Sequence, residues 1–283
     1  MNGMNVLKLR KMKAGREKIV MITAYDYPSA KLVDEAGVDL VLVGDSLGTA
    51  VLGYENTLAV TLADMIHHTK AVTRAVKRAM VVADMPFMSY QVSVEAAVAN
   101  AGKLLQEAGA HAVKLEGGME AVPAITKIFD AGIPVMGHLG FTPQSVHRIG
   151  GAFFQGKTAA KAVKLLEDAL RLEDAGVFAV VLELIPLEAA GLLSDRLQIP
   201  TIGIGSGPKC DGQVLVYHDM LGLNQEFQPM HSKTFASAGQ VIKEGICNYL
   251  QEVRQGSFPT TGHTKTMEPA ELEELEKISA KPL

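Results

Sequence analysis

Eight short runs rich in β-branched residues recur along this chain: "KIVMITAY", "VDLVLVGD", "AMVVADMP", "AHAVKLEG", "IPVMGHLG", "VFAVVLELIP", "IPTIGIGS" and "VLVYHDM". No other feature restricts the fold as much. Most of the runs are nearly continuous in apolar residues, the pattern of parallel strands covered on both faces. Amphipathic stretches such as "SVEAAVANAGKLLQEAG" and "TAAKAVKLLEDALRLEDAG" lie between many of them. Four of the intervening stretches end in Ala-Gly just before a strand, at Ala36-Gly37, Ala108-Gly109, Ala131-Gly132 and Ala175-Gly176. Glycine at that place suits a left-handed helix stop.

Eight strands alternating with helices predict a (β/α)8 TIM barrel. A doubly wound open sheet is the rival, but so many parallel strands within 283 residues favour closure. The link between the seventh and eighth runs is too short for an ordinary helix. Residues 234–254 predict a closing helix, and about 260–283 read as a charged, exposed tail. The whole of 1–283 is thus expected to be one barrel domain with an N-terminal extension.

Composition narrows the function. A net charge of −4 with no basic block argues against nucleic acid as a partner. No run approaches the ~20 apolar residues that a membrane crossing needs. Cys210 and Cys247 have neither metal nor redox spacing, which fits reduced thiols in a cytoplasmic protein.

The ionisable residues fall at the strand ends where a barrel carries its active site. The second run ends in Asp45-Ser46, the third reaches Asp84, and the fourth ends in Lys114-Leu115-Glu116. The fifth holds His138 and the sixth Glu183. Neighbouring strands lie ~4.8 Å apart, so carboxylates ending the second, third and fourth can converge. Clustered anions need a cation or retained protons, and oxygen ligands on an open site suit Mg²⁺. Each residue also has a plainer reading. Asp45 and Asp84 suit helix N-caps, and Lys114 with Glu116 suits an ion pair filling the barrel. Glu183 fits a solvated strand end, and His138 a core histidine. "GIGSGP" at 203–208 is a weak candidate for a phosphate cradle.

Several ordered motifs carry a resemblance beyond this pattern: "TAYDYPSA", "LVGDSLG", "GYENT", "ADMPF" and "SY" on either side of Met88, "VKLEGG", "GHLGFTPQS", "GGAFFQGKT", "GIGSGPKCDGQVLV", and the segment from Phe258 to His263. From about Lys11 to His263 the chain resembles the ketopantoate hydroxymethyltransferase family. The resemblance implies a barrel of the phosphoenolpyruvate/pyruvate superfamily, commonly assembled as a decamer, so a homo-oligomer is expected. It implies transfer of a hydroxymethyl group from 5,10-methylenetetrahydrofolate to 3-methyl-2-oxobutanoate, through a metal-stabilised enolate, to give 2-dehydropantoate for pantothenate synthesis. Asp45, Asp84 and Glu116 match the Mg²⁺ positions, one ion per subunit, with Asp45 and Asp84 foremost as direct ligands. Asp45, Ser46, Asp84 and Lys114 match positions that bind the 2-oxo acid, and Glu183 matches the proton acceptor. His138 is a possible accessory. Three positions depart from the family pattern: Met88 where Gly is usual, Ala152-Phe153-Phe154 where a Tyr and a basic residue are usual, and Ser206 where Ala is commoner. The first and second are expected to shape the pocket mouth. Two rivals stay open, an isocitrate-lyase-like C–C lyase and a non-catalytic 2-oxo acid-binding barrel. The lyases usually present a cysteine on a loop after a strand, and neither cysteine here is near "VKLEGG" or "GHLG".

Overall fold

The computed structural model describes residues 3–224 and 229–280. It divides into two compact units, Met1–Phe235 and Ala236–Leu283. In the first unit, eight parallel strands close in sequence order into a barrel. They are β1 (Ile19–Thr23), β2 (Leu40–Val43), β3 (Met80–Asp84), β4 (Ala112–Glu116), β5 (Val135–Gly140), β6 (Ala179–Glu183), β7 (Thr201–Ile204) and β8 (Gly212–Leu215).

The near-continuous apolar runs have the physical cause expected of them, since alternate residues pack into different cores. Leu40, Leu42, Met80, Val82, Ala112, Met136, Ala179 and Val181 fill the barrel interior. Their neighbours Val41, Val43, Val81, Val113, Leu115, Val135 and Val180 face outward against the helices. All four Ala-Gly glycines take positive φ, between 75° and 94°. A side chain is strained there, and glycine is not. The two amphipathic stretches form helices Val94–Gln106 and Ala159–Asp174, whose first-turn amides are capped by Ser93 and Thr158.

The N-terminal extension contains a helix, Val6–Gly15, whose Leu9 joins the interior core with no exposure. The eighth run, "VLVYHDM", is strand only at its start: β8 ends at Leu215 and Tyr217–Met220 is a helical turn. The Tyr217 amide donates to the Thr23 hydroxyl at 3.0 Å instead of continuing the ladder with β1. The link from β7 to β8 holds no helix, as its length required.

The second unit holds helices Ala238–Gln255 and Pro269–Ser279, with no residue of either buried. The first falls on the segment expected to be helical, but it belongs to this unit and not to the barrel unit. Among the described residues no helix is long and apolar enough to cross a membrane.

Candidate active site

Strand parity assembles the site. Side chains two apart on a strand share a face, so Asp84 follows Val82 inward, Lys114 and Glu116 follow Ala112, His138 follows Met136, and Glu183 follows Val181. The top of the interior is therefore polar above an apolar floor. Register then pairs Asp84 with Lys114 and Glu116 with His138. Lys114 Nζ lies 2.9 Å from Asp84 Oδ1, both side chains being at most 5% exposed. The partner of Lys114 is thus across the strands, at Asp84. His138 Nδ1 faces Lys114 Nζ at 3.3 Å and Glu116 Oε1 at 3.5 Å, while its Nε2 lies 3.1 Å from Glu183 Oε2.

Asp45, just past β2, donates its backbone N–H to Asp84 Oδ2 at 3.0 Å. It is not a helix cap. The short helix after it starts from Ser46 without a side-chain cap, and the helix following Asp84 is capped by Ser93. The Ser46 hydroxyl meets the Tyr25 phenol at 2.8 Å. Burial, then the charges of Asp84 and Glu116, hold the Asp45 carboxyl well above the usual aspartate range. Burial opposes the charge on Lys114, but Asp84, Glu116 and Asp45 outweigh it and raise its affinity for the proton. For His138, burial and the Lys114 ammonium act downward. Its contacts with Glu116 and Glu183 prevail and push it up to about 9.

Sequence reasoning missed the residues that hold these groups still. Gln144, on the loop after β5, donates from Nε2 to Asp45 Oδ2 at 2.9 Å and to the Met85 carbonyl at 3.0 Å. Its backbone N–H donates to Glu116 Oε2 at 3.0 Å, and its Oε1 accepts from the Tyr90 phenol at 2.9 Å. The only sequence signal was their place inside "GHLGFTPQS" and next to "ADMPF". In the "GIGSGP" loop, buried Ser206 donates to the Leu182 carbonyl at 2.7 Å and accepts from the Ile185 amide at 3.2 Å. It therefore clasps the backbone on both sides of Glu183-Leu184, where Leu184 has φ 47°.

A cavity of about 190 Å³ opens over this layer, lined among others by Asp45, Ser46, Asp84, Lys114, Glu116, His138 and Glu183. Asp219 and His231, not singled out in the sequence, line it too. Burial pushes the Asp219 carboxyl up. Three buried atoms on its wall, Asp84 Oδ1, Glu116 Oε1 and His138 Nε2, have charged neighbours but no aligned hydrogen bond. Buried polar atoms held by charge alone, without an aligned hydrogen bond, are uncommon in folded proteins and suit a ligand.

The same wall suits a hard cation. Asp45 and Asp84 offer oxygen donors in an anionic pocket, and Mg²⁺ is commonly held by one or two carboxylates plus water and substrate oxygens. Among the described residues no group of three His, Cys, Asp or Glu is arranged to hold a metal. Cys210 is buried and Cys247 exposed, and neither lines the cavity.

A family model described as ketopantoate hydroxymethyltransferase matches residues 3–261. The chain is 55% identical over 270 residues to 3-methyl-2-oxobutanoate hydroxymethyltransferase of Acetivibrio thermocellus, covering 95% of both chains. It is 54% identical to the enzyme of that name from Carboxydothermus hydrogenoformans, covering 97% of this chain and all of the relative. This chain belongs to the ketopantoate hydroxymethyltransferase family. Among solved structures, phosphonopyruvate hydrolase in complex with oxalate and Mg²⁺ superposes with a TM-score of 0.60 at 13% identity, covering 98% of this chain and 97% of that one. A 2,3-dimethylmalate lyase of the PEP mutase/isocitrate lyase superfamily gives 0.58 at 17% identity, covering 97% and 94%. At such identities these two support the barrel fold alone.

The departures from the ketopantoate hydroxymethyltransferase pattern now have places. Met88 takes φ 64°, a conformation natural to the glycine usual there, and is half exposed. Its neighbours Phe87 and Tyr90 line a second cavity of about 580 Å³ at the barrel mouth. Ala152, Phe153 and Phe154, expected to shape the mouth, line neither cavity. Ser206 is the clasp described above.

Proposed function

We propose that this protein transfers a hydroxymethyl group from 5,10-methylenetetrahydrofolate to C3 of 3-methyl-2-oxobutanoate, yielding 2-dehydropantoate for pantothenate synthesis and releasing tetrahydrofolate. Water supplies the hydroxyl oxygen. The observation that carries the reading is the polar top layer, where Asp45, Asp84 and Lys114 line the same small cavity as Glu183. Such a wall fits a small 2-oxo acid with a base directed at one of its carbons.

On this reading Asp45 and Asp84 hold one Mg²⁺ per subunit, with Glu116 close by. Such an ion would supply Lewis-acid charge withdrawal there, making the weak carbon acid C3–H easier to ionise. The Lys114 ammonium adds fixed positive charge beside those oxygens without having to reorganise. Ser46, positioned by Tyr25, offers a hydroxyl to the same end of the acid. Glu183, whose side chain is 15% exposed, takes the C3 proton. His138, in contact with that carboxylate at 3.1 Å, fixes its orientation. The resulting carbanion takes up the methylene carbon, both bonds from that carbon to the donor nitrogens break, and water supplies the hydroxyl as tetrahydrofolate leaves.

The same proposal includes a homo-oligomer, a decamer by resemblance. Val241, Ile242, Ile246, Tyr249, Leu250 and Val253 on helix Ala238–Gln255 are all exposed, and large apolar patches of this kind mark interfaces.

The test is Glu183→Gln, which keeps shape and removes the base. Exchange of the C3 deuteron of 3-methyl-2-oxobutanoate needs no folate. It is expected to fall by about 10²–10⁴, the usual worth of a positioned base, with affinity for the acid retained. Wild-type exchange in the variant would refute the role of Glu183, and absence of exchange in the wild type would refute the enzymatic reading.

A further inference from the structure

The polar inner cavity is too small for the whole reaction. Its volume of about 190 Å³ falls below the ~300–1,000 Å³ of pockets that enclose drug-sized ligands. Its wall is also crowded with buried charge, and a neutral ring system placed there would strand those groups without water or partners. It suits the short 2-oxo acid. The one-carbon donor of the proposed reaction is several times larger, and yet it must bring its methylene carbon to C3.

The second cavity at the barrel mouth answers this. Its volume of about 580 Å³ lies inside the range for such ligands. The loops that follow β2, β3, β4 and β5 build it, so it opens on the same end of the barrel. Glu116 lines both cavities, which marks the wall where they meet. Phe87, 38% exposed, and Val94 and Pro123 give it flat apolar surfaces. Tyr90 stiffens the inner side, because its phenol oxygen accepts from the Glu116 N–H at 3.1 Å and its proton goes to Gln144 Oε1 at 2.9 Å or the Glu116 carbonyl at 3.1 Å. Arg148 stands at the outer side, its side chain 72% exposed, donating to Ser145 Oγ at 3.1 Å and lying 3.9 Å from Glu120.

We propose that this outer cavity seats the reduced pterin and p-aminobenzoyl rings of the folate donor. The methylene then points inward past Glu116, and Arg148 meets the anionic glutamate tail. The proposal rests on the folate reading above. Its chemistry is matched in sequence along the cavity: aromatic and aliphatic walls for the rings, then a guanidinium for carboxylates, which it pairs with well. Size, wall chemistry and the shared Glu116 all favour this occupant over a second small acid.

The test uses the full-length protein with Mg²⁺ and isothermal titration with tetrahydrofolate. Phe87→Ala, Arg148→Glu and the cavity-filling Val94→Trp are each expected to raise the Kd for tetrahydrofolate at least tenfold. The Kd for 3-methyl-2-oxobutanoate should move less than twofold, and the melting temperature should confirm that each variant folds. Tetrahydrofolate binding in the wild type with all three variants within twofold of it would overturn the placement while leaving the folate reading intact. No binding of tetrahydrofolate to the wild type, together with no transfer from its methylene form, would overturn both.

Discussion

Replacing Lys114 with Met removes the only ammonium among the described residues lining the inner cavity. Lys114 and Asp84 are paired at 2.9 Å and at most 5% exposed, so solvent screens them little. Breaking a buried pair by deleting one partner typically costs about 3–5 kcal/mol, because the other charge is stranded. Here Asp84 would be left with Asp45 and Glu116, whose mutual repulsion already acts on Asp45. In a unit of this size 1 kcal/mol shifts the melting temperature by about 2–4 °C, so a fall of roughly 6–20 °C is expected. The assay is thermal melting in EDTA and again in excess Mg²⁺. If the cavity is a cation site, Mg²⁺ binds the native anions and restores part of the loss by mass action. The variant should therefore gain more from Mg²⁺ than the wild type, while kcat/KM for the 2-oxo acid still collapses. A variant that melts within 2 °C of wild type in EDTA would show that Lys114 does not hold the carboxylates together. Equal gains from Mg²⁺ in both proteins would remove the cation from this cavity.

Other outcomes follow from the same geometry. Met88→Gly relieves a left-handed backbone at a half-exposed side chain, and after the entropy of glycine a gain of roughly 0.5–1 kcal/mol is expected in chemical denaturation. Ser206→Ala leaves the buried Ile185 amide unpaired and should cost roughly 1–3 kcal/mol by the same measurement, with a lower rate of C3 exchange as Glu183 loosens. His138 is raised from its ordinary 6.5 to about 9. Its stabilisation of the metal-free protein is therefore full below about pH 6.5 and is lost as pH rises through about 9. That is roughly 3 kcal/mol at 1.36 kcal/mol per pH unit, measured by melting from pH 6 to 10 against His138→Gln, whose stability should lack that fall.

The barrel was legible because its signal is repeated: eight apolar runs and four Ala-Gly stops each point to one architecture. Strand parity also put Lys114 and Glu116 on one face. The identity of the lysine's partner was not legible. Same-face neighbours along a strand are nearly 7 Å apart, whereas neighbouring strands lie within ~4.8 Å, so register decides the contact. Only the pairing of β3 with β4 brings Asp84 beside Lys114. The end of β8 was not legible for a similar reason. "VLVYHDM" carries no stop signal, and the hydroxyl that captures the Tyr217 amide sits on Thr23, far away in sequence. Gln144 and Tyr90 are uncharged loop residues, and nothing local distinguishes such residues from solvated ones until the fold buries them.

The backbone around Glu183 is held from several sides. Leu184 holds φ 47°, which for a residue with a side chain costs about 1–2 kcal/mol. That conformation persists only because its surroundings fix it. On one side the Glu183 carbonyl accepts the Phe141 amide at 2.8 Å, and Gly140 gives the room, since a Cβ there would collide with that same carbonyl. On the other side Ser206 holds Leu182 and Ile185. A carboxylate that merely ended a strand in solvent would need none of this. Three separate loops spend a glycine, a buried hydroxyl and a strained residue on the orientation of one peptide, and that peptide carries the carboxylate facing His138. Strain kept in place by its neighbours at the rim of a charged cavity fits the base proposed at Glu183, whose direction matters.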